Sequence, residues 1–319
     1  MADNTEHATL KALHAHLRHF HIKQESYYRE FFPRFCKGTG QPIPFKDRDQ
    51  YFSQDFVDKN AIKKFIKSNP KEAREWAIGW LKKRKEEKGL IYAPSQVELR
   101  SLSCPTMVYF DTVGGYYHIA RELGFKDRYV SYTEQNAVKA GFWDDKCIIC
   151  DTREQLPLKF TVKTVRETVN AGDYALAGPH DQGVYIERKS ISDFVGTMNA
   201  RANVRENKKK DDTVFTNLER FDRELTRAAE QGHYIVMLIE TSLTQALSFS
   251  YLPQMKWTKV SEQHVFKNLR DLLSKYPLSF QAVFADGRAD AAQKALKIFE
   301  MGEQVRRVDL QYAVERGLL

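Results

Sequence analysis

Apolar and polar positions follow two different rhythms along this chain, and the change falls near Phe142-Trp143-Asp144-Asp145. Before it the spacing is helical. Leu10, Leu13, Leu17 and Phe20 repeat at three to four residues, the period that lines one face of a helix. Residues Asn60 to Lys88 are rich in Ala, Lys, Glu and Trp, and Ser68-Asn69-Pro70 predicts a break inside them. That segment ends in Lys82-Lys83-Arg84-Lys85-Glu86-Glu87-Lys88-Gly89, where the glycine suits a helix C-terminus. Ser95, with Glu98 three residues on, predicts a capping box and a new helix.

After the change, short apolar runs alternate with helical stretches. Cys147-Ile148-Ile149-Cys150 runs into an acid, and strands are predicted at Phe160 to Val169, Val184 to Glu187, Tyr234 to Ile239 and Phe280 to Ala285. Tyr234 to Ile239 is apolar throughout and so expected to be central. Helices are predicted at Ser190 to Asn199, Val214 to Gln231, Glu262 to Lys275 and Asp290 to Gly302. The pattern is α/β, a mixed central sheet flanked by helices, joined to an N-terminal, mostly helical domain. The expected boundaries are 1–145, 146–303 and a C-terminal tail at 304–319, and no internal repeat suggests a solenoid.

Composition narrows the function. The 319 residues are 42% hydrophobic and 29% charged, with a formal net charge of +8. That core is of ordinary size, and the basic balance favours a polyanionic partner. The four cysteines, Cys36, Cys104, Cys147 and Cys150, are too few and too scattered for a disulfide framework, so a reducing, intracellular setting is expected. No apolar run reaches membrane-span length. Met1-Ala2-Asp3-Asn4-Thr5-Glu6 lacks the basic start and apolar stretch of a signal peptide.

The chemistry concentrates in Ile186-Glu187-Arg188-Lys189-Ser190-Ile191-Ser192-Asp193. On a strand, Glu187 and Lys189 face the same way. Thirteen residues separate Glu187 from the acid of Gly172-Asp173-Tyr174, room for a hairpin that returns Asp173 beside Glu187. Two carboxylates so placed suit a hard divalent ion with oxygen ligands, and Lys189 is then positioned to orient or deprotonate an attacking water. Asp151-Thr152-Arg153-Glu154 supplies further acids and a cation at the end of the first predicted strand. Taken alone, Glu-Arg-Lys also suits a solvated strand end making surface ion pairs.

The ordered blocks Asp151-x-Arg153-Glu154, Gly172-Asp173 and Glu187-Arg188-Lys189-x-x-x-Asp193 resemble XPF-type structure-specific nucleases of the PD-(D/E)xK superfamily. Arg220, Phe221, Leu225 and the strand ending Leu238-Ile239-Glu240 continue the likeness, which covers roughly Cys147 to Met301. The resemblance implies a restriction-endonuclease-like core that hydrolyses phosphodiester bonds with Mg²⁺ or Mn²⁺. Asp173 and Glu187 would be the principal metal ligands and Asp151 an additional ligand or organiser. Lys189 would position the water, with Glu154 in the same catalytic group. The resemblance also raises a homodimer through this domain. Family members often carry a helix-hairpin-helix module after the nuclease, and only about eighteen residues follow Met301. Substrate choice is therefore expected to come from elsewhere.

DNA contacts are expected from Arg153, Arg188 and the basic stretch Arg201, Arg205, Lys208, Lys209 and Lys210. Lys82, Lys83, Arg84, Arg121 and Arg128 are expected to add to them from the first half. The segment Ala93-Pro94-Ser95 to Leu123-Gly124-Phe125 is similar to short helical DNA-binding repeats associated with homing endonucleases, without their tryptophan. His14, His16, His19 and His21 crowd one helix without sharing a face, and Cys147-x-x-Cys150 has no second pair, so neither predicts a metal centre. The expectation is a metal-dependent endonuclease acting on branched or structured DNA in repair, recombination or replication. The alternatives are a sequence-reading mobile-element nuclease and a non-catalytic DNA-binding scaffold.

Overall fold

In the computed structural model the residues described are 7–35, 42, 43, 45, 47–53, 67–102, 105–130, 141–199, 216–256 and 258–319. The basic stretch 201–210, Cys36 and Cys104 lie outside them. Contacts divide the chain into two compact units, Met1–Gly79 and Trp80–Leu319.

The larger unit is built on a six-stranded sheet in the order β2-β1-β3-β4-β5-β6, comprising β1 (Ile148–Asp151), β2 (Thr164–Glu167), β3 (Tyr174–Leu176), β4 (Val184–Lys189), β5 (Tyr234–Ile239) and β6 (Phe280–Phe284). β1 pairs parallel to β2 and antiparallel to β3; β3 is antiparallel to β4, and β4, β5 and β6 run parallel. β5 is buried at all six positions, as its uniform apolar run requires of a parallel central strand. Helices Ile191–Met198, Asn217–Glu230 and Glu262–Lys275 cover one face, contacting Tyr185, Ile235, Met237 and Ile239. Arg288–Met301 and Leu310–Glu315 cover the other, against Val184, Ile186, Tyr234, Val236 and Leu238. Side chains of Ser190, Thr216 and Ser261 cap the three helices of the first face.

Two expectations change. The strand foreseen at Phe160 to Val169 shortens to Thr164–Glu167. The chain before it folds over the sheet: the Leu158 amide donates to the Tyr174 hydroxyl at 2.7 Å, and the Phe160 ring packs edge-on to Tyr174. The sheet's own core needs that cover more than it needs a longer edge strand.

The units also divide at residue 79/80, where sequence texture changes near 145. Residues 304–319 are no tail, for Val305, Val308, Leu310, Ala313 and Leu319 are buried in the second core. Gln281 reaches the Val305 and Val308 carbonyls from β6. Helix Gln96–Ser101, with the Ser95/Glu98 capping box, docks on this segment through the Gln96 amide and Asp309 at 2.8 Å. A change of periodicity marks where strands begin, which is not where a core ends.

In the smaller unit, helices Leu10–His19 and Gln24–Phe31 accompany a core of Tyr28, Ile43 and Tyr51. His14 meets the Tyr28 hydroxyl at 2.9 Å.

Candidate active site

Strand alternation and register assemble the site. Cys150 pairs with Tyr174, and Tyr174 with Ile186. Continued by one residue, that register lays Asp151, Asp173 and Glu187 side by side across three strands. The Asp151 amide donates to the Asp173 carbonyl, and the Asp173 amide to the Ile186 carbonyl, both at 2.8 Å. Gly172 makes this approach available. Its φ is +66°, and a Cβ there would sit 2.8 Å from the Ile186 carbonyl oxygen, so only glycine fits without moving backbone.

Glu187 lies on the same face as buried Tyr185, covered by helix Asn217–Glu230, and Lys189 follows it there. Lys189 Nζ donates to Glu187 Oε1. Asp173 Oδ2 accepts from the Arg188 amide at 2.8 Å. Burial pushes the Glu187 carboxyl up to about 7, with Asp173 and Glu224 adding to the rise against Lys189. Burial likewise raises Asp173 to about 6. For Lys189 burial works downward, but the charges of Glu187, Asp173 and Glu224 outweigh it, so its ammonium is held above its ordinary pKa.

Glu224 was not foreseen. It stands on the covering helix, where Phe221, Leu225 and Ala228 are buried, and its Oε1 accepts from the Gly172 amide at 3.2 Å. An acid three residues after Phe221 and one before Leu225, inside the apolar stripe of an amphipathic helix, was the available signal.

Asp151 has less freedom. Its Oδ1 accepts from the Arg153 amide and Nε, each at 2.7 Å, and its Oδ2 from Arg153 Nη2 at 3.0 Å and the Val169 amide at 2.9 Å. The Arg153 side chain, with those amides, holds its carboxyl well below the usual range. Asp151 therefore organises the turn after β1, and Arg153, 73% exposed, is partly committed to it.

The opposite face at the end of β4 carries a second ionic group. Arg188 Nε donates to Glu154 Oε2 at 3.0 Å and its Nη1 to Glu240 Oε1 at 3.2 Å, and Arg288 joins Glu240 at 3.3 Å. Glu154 Oε1 also accepts from the Leu156 amide at 2.6 Å. Arg188, expected at DNA, has a side chain only 9% exposed and ties strands together. Arg128, also expected at DNA, is buried, at 3.4 Å from Glu98 and donating to the Phe280 carbonyl at 3.2 Å. Neither can meet a phosphate from where it stands. Lys82 and Lys83 are exposed and Arg84 half-buried, while Arg121 is exposed and paired with Asp127 at 2.8 Å. Asp193 lies in the first turn of helix Ile191–Met198, where the Ser190 hydroxyl donates to it at 2.6 Å.

Among the described residues no three His, Cys, Asp or Glu side chains stand grouped to hold a metal ion. The donor chemistry of Asp173 and Glu187 nonetheless fits a hard divalent ion: two desolvated carboxylate groups on adjoining strands, with Glu224 close enough to raise Glu187 further. Mg²⁺ keeps several waters and is commonly held by one or two carboxylates. Among the described residues no helix is long and apolar enough to cross a membrane.

No curated protein matches the chain. Residues 148–294 match the family model of the ERCC4 domain, a span holding the three-acid row, Lys189 and all six strands. The chain thus carries an ERCC4 domain, the XPF-type nuclease domain of the PD-(D/E)xK superfamily.

Proposed function

We propose that the protein is a divalent-metal-dependent endonuclease that hydrolyses phosphodiester bonds in branched or structured DNA. The observation that carries this reading is the placing of half-buried Asp173 and buried Glu187 beside Lys189 at adjoining strand ends. Two carboxylate groups held above their ordinary pKa are short of positive charge, and a cation relieves that deficit.

Asp173 and Glu187 would hold the ion, Mg²⁺ or Mn²⁺. Bound there, such an ion would supply Lewis-acid stabilisation of charge on the phosphate. With no ion bound, the charges of Glu187, Asp173 and Glu224 favour the ammonium form of Lys189. As an ammonium it would orient the attacking water and balance phosphate charge. Glu224 fixes the Gly172 amide and so the position of Asp173. Asp151 acts as organiser of the row rather than as a ligand, and Glu154 supports it through Arg188.

DNA reaches the site past exposed cations. Exposed Arg153 is assigned to a phosphate beside the nuclease core; Arg201, Arg205, Lys208, Lys209 and Lys210, which lie outside the described residues, are assigned to phosphates on their charge alone. Lys82, Lys83 and Arg121 belong to the same compact unit and are assigned to duplex flanking the cut. The test is a cleavage panel on labelled linear, nicked, flapped and four-way DNA with Mg²⁺, Mn²⁺ or neither. Metal-dependent cutting of branched substrates, lost in Lys189→Ala with binding retained, is expected. Absence of cutting on every substrate with either metal would sink the proposal.

A further inference from the structure

The smaller unit displays more aromatic surface than its core consumes. Among its described residues the core cluster is small, Tyr28, Ile43 and Tyr51, with Leu17, Ala73 and Ala77 also buried. Phe31, Phe32, Phe35 and Phe52 are left 43%, 47%, 57% and 38% exposed. Single exposed apolar residues are ordinary, but a contiguous set marks a binding surface. Three of these rings connect in a chain: Tyr27 lies 5.0 Å from Phe31 and 6.2 Å from Phe32, and Phe32 lies 6.0 Å from Phe52. Phe35 follows on the same segment, bridged to Pro42.

Cations frame the rings. The guanidinium groups of Arg34 and Arg48 sit 5.9 and 5.3 Å from the Phe52 centroid. Arg34 is fixed there by its bond to the Tyr51 carbonyl at 2.7 Å. Residues 7–35 carry Lys11, Arg18, Lys23, Arg29 and Arg34 against only Glu25 and Glu30. Exposed rings interleaved with arginines and an excess of positive charge match a strand that offers flat bases and phosphates together. A duplex hides its base faces and would leave the rings unused.

We infer that Phe31, Phe32, Phe35 and Phe52, with Arg34 and Arg48, form a stacking platform for unpaired bases of a single nucleic-acid strand. This does not rest on the nuclease reading. If both hold, the platform grips the unpaired arm of the substrate that the larger unit cuts.

The test is fluorescence anisotropy with the full chain in EDTA, where no cutting intervenes. The probes are labelled oligodeoxythymidylate, an abasic strand of equal length, and a duplex. Single-strand binding should exceed abasic and duplex binding. Phe31→Ala with Phe35→Ala should weaken it about tenfold, while duplex binding holds. Phe31→Tyr with Phe35→Tyr, which keeps the rings, should restore it. Equal affinity for the abasic strand, unchanged affinity in the alanine variant, or equal losses in the alanine and tyrosine variants would overturn the inference. A protein that cuts DNA in Mg²⁺ yet fails this test loses the platform and keeps the nuclease assignment.

Discussion

The two faces at the end of β4 carry ionic groups of similar size and opposite character. On one, Arg188 and Arg288 meet Glu154 and Glu240, two cations to two anions, and bonds within the protein hold the set. On the other, Lys189 stands with Asp173, Glu187 and Glu224, and two of those carboxyl groups are driven upward in pKa. Positions 187, 188 and 189 alternate between the two faces, so Glu-Arg-Lys is two functions interleaved. The balanced face holds strands together. The unbalanced face gathers three carboxyl groups around one lysine, and perturbed carboxyl groups of that kind mark a candidate functional site.

The sharpest break in that comparison is Lys189→Ala or Asp173→Asn. Either should lower cleavage by about a thousandfold, the scale of losing one preorganised charged group in a reacting site, with DNA affinity held within a few-fold. Arg188→Ala should act differently. It leaves Glu154 and Glu240 buried without their shared partner and should cost about 3–5 kcal/mol in denaturant unfolding. If Arg188→Ala left stability unchanged and abolished only cleavage, the division of labour between the faces would be wrong.

Acidity separates the faces as well. Folded-state pKa values of about 6 for Asp173 and about 7 for Glu187 lie above the ordinary carboxyl range. As pH rises from that range toward 7, the unfolded chain gives up these protons first. The metal-free protein should therefore lose stability over that interval, and added Mg²⁺ should reverse the loss. Calorimetry in buffers of different ionisation heat should show proton release on Mg²⁺ binding at pH 6 to 7, fading as pH climbs above 7. Glu187→Gln should remove the upper part of that dependence. The smallest effect is expected from Glu224→Gln, a few-fold loss of Mg²⁺ affinity, since an amide oxygen still accepts from Gly172 while one neighbouring charge is gone.

Much of the larger unit was legible because its strands announce themselves. Tyr234 to Ile239 is apolar without interruption, and the spacing of Gly172-Asp173 and Glu187 fits a hairpin. Local pattern could not say which charged residues would be buried. Arg188 and Arg128 look like DNA contacts in a basic sequence, yet tertiary packing puts one under the sheet end and the other beside Glu98. Glu224 was hidden for the converse reason, as one acid in a helix full of charges. The placement of 304–319 was missed because Val305, Val308 and Leu310 are too few and too irregular to reveal their burial.

Gly172 gives the design a vulnerable hinge. Every charged group could keep its place in the sequence and the acid row still be displaced by one methyl group, wedged against the Ile186 carbonyl where 2.8 Å is all the room available. Such a lesion would be invisible to any inventory of acids and bases. What this nuclease core guards most closely is therefore a gap between two chains of atoms, kept narrow by a residue that contributes nothing to fill it.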